Sequence, residues 1–566
     1  MRAELLDKIA RSAHALSATV GGEELIAPTR EAAIALPPGG EASETTIPVG
    51  ADPLAINGTV TVKTPANAWP SAPSSCAAGR SPKATRIADG PVPSPPVGSG
   101  PMVPERLRPV LDETRPLAER FTAAGHRLYL VGGIVRDLLL GRSLARPDID
   151  LTTDARPGAT KRIVADWADA VWTQGERFGT IGAKKGDRIF EITTHRAEVY
   201  RPDSRKPHVA FADEVEADLA RRDFTVNAMA MYLPEPALID PFDGAADLAA
   251  GRLRTPLGPD VSFTDDPLRM MRAARFIAGY GLAPDADVTA AVERLHGRLE
   301  IVSAERIRDE LDKLLVVEDP TKGLWFLHDS GLFGEFLPEI PALRLEQDPI
   351  HRHKDVLSHT IAVVANTRPR HLVRLAALLH DIGKPKTRSI SRGGVSFHHH
   401  EVVGARMARE RLQALRYPSD VVEKVSRLVF LHLRFHGYRD RDGGEGWTDS
   451  AVRRYVRDAG DLLSELNELT RCDCTTRNEK RARLLAERMD ALEQRIAELR
   501  DQEELAAIRP DLDGRQVMEH LGIPPGREVG EALAYLLEAR LDEGPLGEAE
   551  AFGRLDEWWA ARQPRS

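Results

Sequence analysis

The chain has 566 residues, 29% of them charged and 42% hydrophobic, with a formal net charge of −9; it is too long for one hydrophobic core, so several domains are expected. The acidic balance excludes a uniformly basic nucleic-acid coat while leaving room for a local basic groove. Three cysteines are too few for a disulfide framework, and no apolar run reaches the roughly 18–20 residues a bilayer requires, so a reducing cytoplasm is expected, with no membrane anchor.

Residues 1–101 are rich in Pro, Ala, Ser and Gly, lack Phe and Tyr, and end in the linker-like "GPVPSPPVGSGP". Such a segment buries too little apolar surface to offset its ordering entropy, so disorder is expected, with a short amphipathic helix over 3–16 as the one exception. "MRAELLDKIARSAH" interleaves charges where a secretory signal would carry an apolar stretch. From Pro104, "RLYLVGG", "DIDLTT" and "RIFEITTHR" read as strands and "GIVRDLLLG" and "ATKRIVADWAD" as helices. This mixture ends near Thr255, and from Asp265 the apolar spacing is helical almost throughout. The fold class is therefore α+β: a head over 102–255 with a mixed β-sheet and helices, followed by an all-α neck (256–345), body (346–476) and tail (477–566).

In a strand, residues i and i+2 share a face, so Asp148 and Asp150 aim two carboxylates at one point while Ile149 and Leu151 face inward. Like charges held together are costly unless a cation neutralises them, and paired divalent ions serve phosphoryl transfer. Gly132 and Gly133, between a strand and a helix, would let phosphate oxygens approach backbone N–H groups, and Arg136 one turn later could pair with the same phosphates. A strand-end Asp pair capping a helix, beside an ordinary glycine turn, is the competing reading. Glu191 in "FEITTHR" could add a third carboxylate.

Five motifs in order, "LVGGIVRDLLLGR", "DIDLTTDA", "RRDFTVNAMA", "DPFDGAADLAAGRLRT" and "DDPLRMMRAARF", resemble the class II CCA-adding tRNA nucleotidyltransferase and bacterial poly(A) polymerase family. The resemblance spans Leu130 to Phe276. It implies Mg²⁺ on Asp148 and Asp150, nucleotide contacts from Gly132, Gly133 and Arg136, and sugar recognition by Arg222 and Asp223. It also implies a flexible "DPFDGAADL" loop that repositions between C and A addition. Asp266, Arg269, Arg272 and Arg275 recur every three residues; in the family an acid and an arginine imitate a Watson–Crick partner for CTP and ATP, with the later arginines meeting triphosphate charge. This chain has Asp265-Asp266 where the family often has Glu-Asp. "GERFGTIGA" is closer to the CCA-adding "HGT" form than to the arginine-rich stretch of poly(A) polymerases, with Phe178 in place of His.

Ten of the seventeen histidines fall between His351 and His436. His359, His380-Asp381 and Asp473, on successive helical segments, resemble the ligands of the HD phosphohydrolase superfamily, with His400 and His432 placed to hold a second ion. Imidazole and carboxylate together suit Ni, Mn, Co, Fe or Mg. Some bacterial CCA-adding enzymes resemble this chain in carrying an HD domain with phosphatase and 2′,3′-cyclic phosphodiesterase activity. The expectation is a template-independent enzyme adding CCA from CTP and ATP to the tRNA 3′ end, with an HD phosphohydrolase activity and no obligate protein partner. Poly(A) or A-only addition, and a hydrolase with an RNA-docking head, are the alternatives. The basic runs "RARLLAERM", "SAVRRYVR" and "LRFHGYRDR" either line a tRNA path or are solvated helix faces.

Overall fold

The computed structural model describes residues 107–142, 148–201, 204–345, 355–391, 394–437, 447–474, 479–503, 505 and 508–562, with three short strands nearer the N-terminus. Those strands, β1 (Ala15–Val20), β2 (Glu23–Pro28) and β3 (Val60–Thr61), form an antiparallel sheet within the unit Met1–Gly98. β1 and β2 pair antiparallel with Val20 opposite Glu23. Sequence reading missed this sheet; the remainder of the segment expected to be disordered, including 3–14 of the expected helix, lies outside the described residues.

The second unit, Ser99–Ser566, begins with the head. Its strands are β4 (Leu128–Val131), β5 (Asp148–Thr153), β6 (Ala170–Trp172), β7 (Thr180–Lys185), β8 (Arg188–Thr194), β11 (Ala230–Leu233) and β12 (Ala237–Ile239), ordered β12-β11-β4-β5-β8-β7-β6. Only β5 and β8 run parallel. A separate hairpin of β9 (Arg196–Arg201) and β10 (Ser204–Phe211) follows β8.

Burial fixes the register. Leu130, Ile149, Leu151, Ile181, Phe190 and Ile192 face one core with Leu117 and Phe121 of the helix Arg108–Ala123. A one-residue slip of β5 would expose Ile149 and Leu151, each worth about 1.5–3 kcal/mol when buried, and bury Asp148 and Asp150 in their place. The carboxylates therefore face the other side of the sheet, opposite the apolar core.

The helical part shares one apolar core from Phe224 to Leu505. Met489, Leu492, Ile496 and Leu499 bring the helix Glu479–Gln502 into it, so the tail's own core starts at Leu512 and closes at Leu555. The run "SAVRRYVR" is engaged in packing: Arg453 is buried against Glu503, and Arg454 pairs with Glu538 and Asp542. The "DPFDGAADL" segment is pinned, since Asp240 accepts the backbone N–H groups of Gly244 and Ala245 and buried Asp247 accepts Thr225 and Arg254. No helix among the described residues is long and apolar enough to cross a membrane.

Candidate active site

β5 presents Asp148 and Asp150 with Ile149 buried between them. Its parallel neighbour β8 sets Glu191 directly beside Asp150. Asp150 keeps an accessible carboxylate yet sits among enough protein atoms that desolvation raises its pKa; Arg222 opposes the shift and Asp148 adds to it. Glu191 is raised for the same reasons, by desolvation and then by Asp150 and Asp148. Three carboxylates crowded on one sheet face, with Asp150 and Glu191 disfavoured in their charged forms, are a donor set that a hard cation would relieve.

A cavity of about 340 Å³ opens over this face. It is lined by Asp150, Glu191, Thr180, Thr193, Arg196, Arg221, Arg222, Asp223, Asp266, Arg269 and Arg272. The fold thus gathers one of the two aspartates expected to hold metal, the "RRD" residues and three of the four residues of the helical stripe. Gly132 follows β4 with φ +72°, a backbone conformation that favours glycine, and a Cβ there would lie 2.7 Å from Nη1 of Arg222, so the guanidinium would have to shift. Asp223 is nearly buried: its carboxylate accepts from the Phe224 N–H and the Asn227 amide and pairs with Arg272 at 2.7 Å. Burial would raise its pKa, but Arg272, Asn227 and Arg269 bring it down to about 2.

Asp266 and Arg269 both reach the cavity, each already engaged. Asp266 pairs with Arg306 at 2.7 Å. The Arg269 guanidinium donates to the Ser262 hydroxyl at 2.9 Å and to the Arg221 carbonyl.

Two predicted contacts point elsewhere. Arg136 is buried, donating to Asn227 at 2.5 Å and to the Tyr280 hydroxyl while stacking 4.0 Å from the Tyr280 ring centre. It ties the helix Gly133–Leu139 to Leu268–Tyr280 and does not line the cavity. Arg275 pairs with Glu310 at 2.8 Å. Each three-residue step along a helix rotates direction by about 60° short of a full turn, so by Arg275 the stripe has drifted away from the cavity. Asp148 and Gly133 also stand outside the lining. Arg221 and Arg196, which do line it, escaped sequence reading; the doubled arginine of "RRDF" was the available signal for the first.

A second cluster lies in the helical body. His359 comes from the helix Val356–Asn366, His380 and Asp381 from the end of His371–Leu379, His400 from the start of His400–Ala414, His432 from the end of Ser419–Leu431, and Asp473 from the end of Leu463–Asp473. All six predicted ligands converge. Nε2 of His359 is 2.9 Å from Asp473 and 3.7 Å from Oδ2 of Asp381, to which His380 Nε2 comes within 3.2 Å. Oδ1 of Asp381 turns instead to His400, at 3.5 Å. Two three-residue donor groups, His359–His380–Asp381 and Asp381–His400–His432, therefore share Asp381.

Backbone carbonyls of Ala377, Phe397 and Val429 take the Nδ1 side of His380, His400 and His432 at 2.8, 2.7 and 2.6 Å. That leaves each Nε2 buried without a hydrogen bond, the arrangement a metal ligand requires. Burial, and then the charge of His380, push His432 down to about 4, so it is neutral at pH 7 with a lone pair to offer. Despite burial, His380 and Lys384 hold Asp381 well below the usual carboxylate range. Lys384 reaches it at 2.6 Å. These residues would suit one or two divalent ions, with Asp381 common to both donor groups. The neighbouring His398 and His399 do not join the cluster, and His351 and His353 lie outside the described residues.

The family model for a poly A polymerase head domain matches residues 128–254, one for a probable RNA- and SrmB-binding site of polymerase A matches 281–343, and one for the HD domain matches 356–504. An A-adding tRNA nucleotidyltransferase of Deinococcus radiodurans is 33% identical over 77% of this chain and 96% of its own length. The chain belongs to the class II tRNA nucleotidyltransferase/poly(A) polymerase family. The enzyme is also 32% identical to a CC-adding tRNA nucleotidyltransferase of Thermus thermophilus, over 77% of this chain and 95% of that one. A CCA-adding enzyme of Latilactobacillus sakei is 39% identical over 41% of this chain, and the match spans 57% of that protein. The CTP complex of the Bacillus stearothermophilus CCA-adding enzyme shares the fold at TM-score 0.58 and 24% identity, covering 81% of this chain and 99% of that one.

Proposed function

We propose that this nucleotidyltransferase adds CCA to the 3′ end of tRNA in the cytoplasm, without a template, from CTP and ATP. The observation that carries the reading is one cavity floor shared by Asp150, the arginines Arg222 and Arg272, and the Asp266–Arg269 pair. Asp148 and Asp150 would hold Mg²⁺, which supplies the Lewis acidity that makes the 3′-hydroxyl a nucleophile and neutralises the departing pyrophosphate. Arg222 and Arg272 meet the triphosphate. Asp223, pinned by Phe224, Asn227 and Arg272, sits where a ribose hydroxyl can be read. Asp266 and Arg269 together offer acceptors and donors to a base edge; Asp266 must exchange Arg306 for the base, so selection costs an ion pair that only a matching edge repays.

The HD cluster is proposed as a metal-dependent phosphohydrolase. Opening a 2′,3′-cyclic phosphate and removing the phosphate would yield the free hydroxyl that the head extends. Water activation is the chemistry bound divalent ions would supply, with His359, His380, Asp381, His400, His432 and Asp473 as their ligands.

A-only addition is the second reading, favoured by one observation. Among the sequence relatives, the A-adding enzyme of Deinococcus radiodurans is matched over 96% of its length, whereas the CCA-adding match from Latilactobacillus sakei covers 57% of that protein. Incubating tRNAs that end before CCA, after C, and after CC with CTP, ATP or both decides. Full CCA on the first tRNA supports the proposal; A added only to the CC-ending tRNA establishes the second reading, and runs of A on any RNA establish a poly(A) polymerase.

A further inference from the structure

The arginines of the cavity converge on a carboxylate that does not line it. Asp218, on the helix Val215–Ala220, is fully buried. Its Oδ2 accepts Arg222 at 3.0 Å, and its Oδ1 accepts Arg221 at 3.1 Å and the backbone N–H of Arg196 at 3.3 Å. All three arginines line the cavity. Spacings of three and four residues place Asp218 under Arg221 and Arg222 on one helical turn. The Asp218 side chain is only 1% exposed, so no substrate can touch it.

Arg222 shares the cavity lining with a second carboxylate, Asp150. Gly132 leaves space beside the Arg222 guanidinium, since a Cβ there would lie 2.7 Å from Nη1. An arginine released from Asp218 would be free to swing toward the crowded carboxylates of β5 and β8 that share its cavity. It would then compete with any cation for them, since a guanidinium pairs with carboxylate in a fork.

We propose that Asp218 is a positioning residue that retains Arg222 and Arg221 on the rear wall, keeping Asp148 and Asp150 open to a metal ion while both guanidiniums face the triphosphate. The inference rests on the proposed nucleotidyl-transfer site. Asp218 and the two arginines carry a net single positive charge, which favours an incoming anion without neutralising the metal ligands. A purely structural carboxylate would serve helix stability alone and would leave metal affinity untouched.

The test measures Mn²⁺ binding to the nucleotide-free full-length enzyme by electron paramagnetic resonance. The ions lost in Asp148→Ala define the head site and separate it from the HD cluster. Asp218→Asn keeps shape and one acceptor but loses the charge. It is expected to weaken that Mn²⁺ class about tenfold, raise the Mg²⁺ concentration for half-maximal CTP incorporation by a similar factor, and leave kcat at saturating Mg²⁺ within a few-fold. Asp218→Glu should restore binding, and Asp218→Asn combined with Arg222→Gln should return Mn²⁺ affinity to the wild-type level. Unchanged Mn²⁺ affinity in folded Asp218→Asn overturns the inference. Should that variant fail to fold, Arg222→Gln alone decides: affinity equal to wild type supports retention, and a several-fold gain shows that Arg222 already competes. If Asp148→Ala removes no ion at all, the nucleotidyl-transfer site itself has failed, a different outcome.

Discussion

Gly383, in "HDIGK", is the tightest point of the HD cluster. A Cβ on it would lie 2.2 Å from the carbonyl oxygen of His400 and 2.8 Å from the backbone nitrogen of Gly404. Both are backbone atoms of the helix His400–Ala414, so no side chain can rotate away. Ordinary contacts stand at about 3.5 Å, and Gly383→Ala must push that helix back by roughly 1 Å. His400 moves with it, away from Asp381, which it now approaches to 3.5 Å. Metal sites tolerate about 0.2 Å of ligand error, so one of the two donor groups should lose a ligand. The expected cost is about 1–3 kcal/mol of stability from overpacking and a 10–100-fold loss of affinity for one of two ions. Isothermal titration with Mn²⁺, beside CTP incorporation on the same preparation, reads both. Nucleotide addition should stay within about twofold, and Gly297→Ala, where a Cβ meets nothing within 4 Å, is the control. Two ions bound with wild-type affinity by a Gly383→Ala protein of unchanged melting temperature would refute the reasoning.

Asp148→Ala should abolish nucleotide incorporation, by at least about a thousandfold, while hydrolysis of a 2′,3′-cyclic nucleotide persists; loss of both together would show that the sites are not separable. Arg306→Ala should free Asp266 and weaken rejection of GTP and UTP relative to CTP and ATP, read as ratios of kcat/KM in single-nucleotide assays. Asp218 and Asp223 are both held to about 2 against an ordinary 3.8, burial opposing and their arginines prevailing. A depressed carboxylate stabilises the fold above its unfolded pKa and loses that contribution as pH falls through the folded one. Each should therefore contribute about 2 kcal/mol at pH 5, fading between pH 4 and 2. Hydrogen exchange of head amides across that window should show the loss, with a shallower fall in Asp218→Asn.

The paired aspartates were legible in sequence because strand alternation with Ile149 and Leu151 leaves them one face to occupy. The HD cluster was legible because His359, His380-Asp381, His400, His432 and Asp473 resemble a known ligand set, in which His400 and not His399 was expected, and the structure brings those six together. What remained hidden was direction. Arg136 and Arg275 carry the charge a triphosphate needs, but Asn227, Tyr280 and Glu310, each far away in sequence, claim them. Asp218 was invisible for the converse reason: an acidic residue on a short helix is unremarkable until three arginines of the cavity are seen to end on it. The short strands β1 and β2 were lost to composition, since a Pro- and Ser-rich average conceals six-residue strands.

The helix Ala304–Leu315 bears on what the HD cluster is for. Near its start Arg306 holds Asp266, and one turn on Glu310 holds Arg275. Further along, Asp312 accepts Tyr417 at 2.5 Å and lies 2.8 Å from His371. Past its end, the carbonyls of Leu315, Val317 and Glu318 receive Arg374, a buried guanidinium on the helix that leads into His380 and Asp381. Neck and body are thus already locked together by Arg374 and a shared apolar core. If packing were the body's whole task, the buried imidazoles and carboxylates would only cost stability, because three Nε2 atoms lack hydrogen bonds and apolar residues of similar size would pack as well. A bound cation would offset that cost, which is why the cluster is proposed as a metal site.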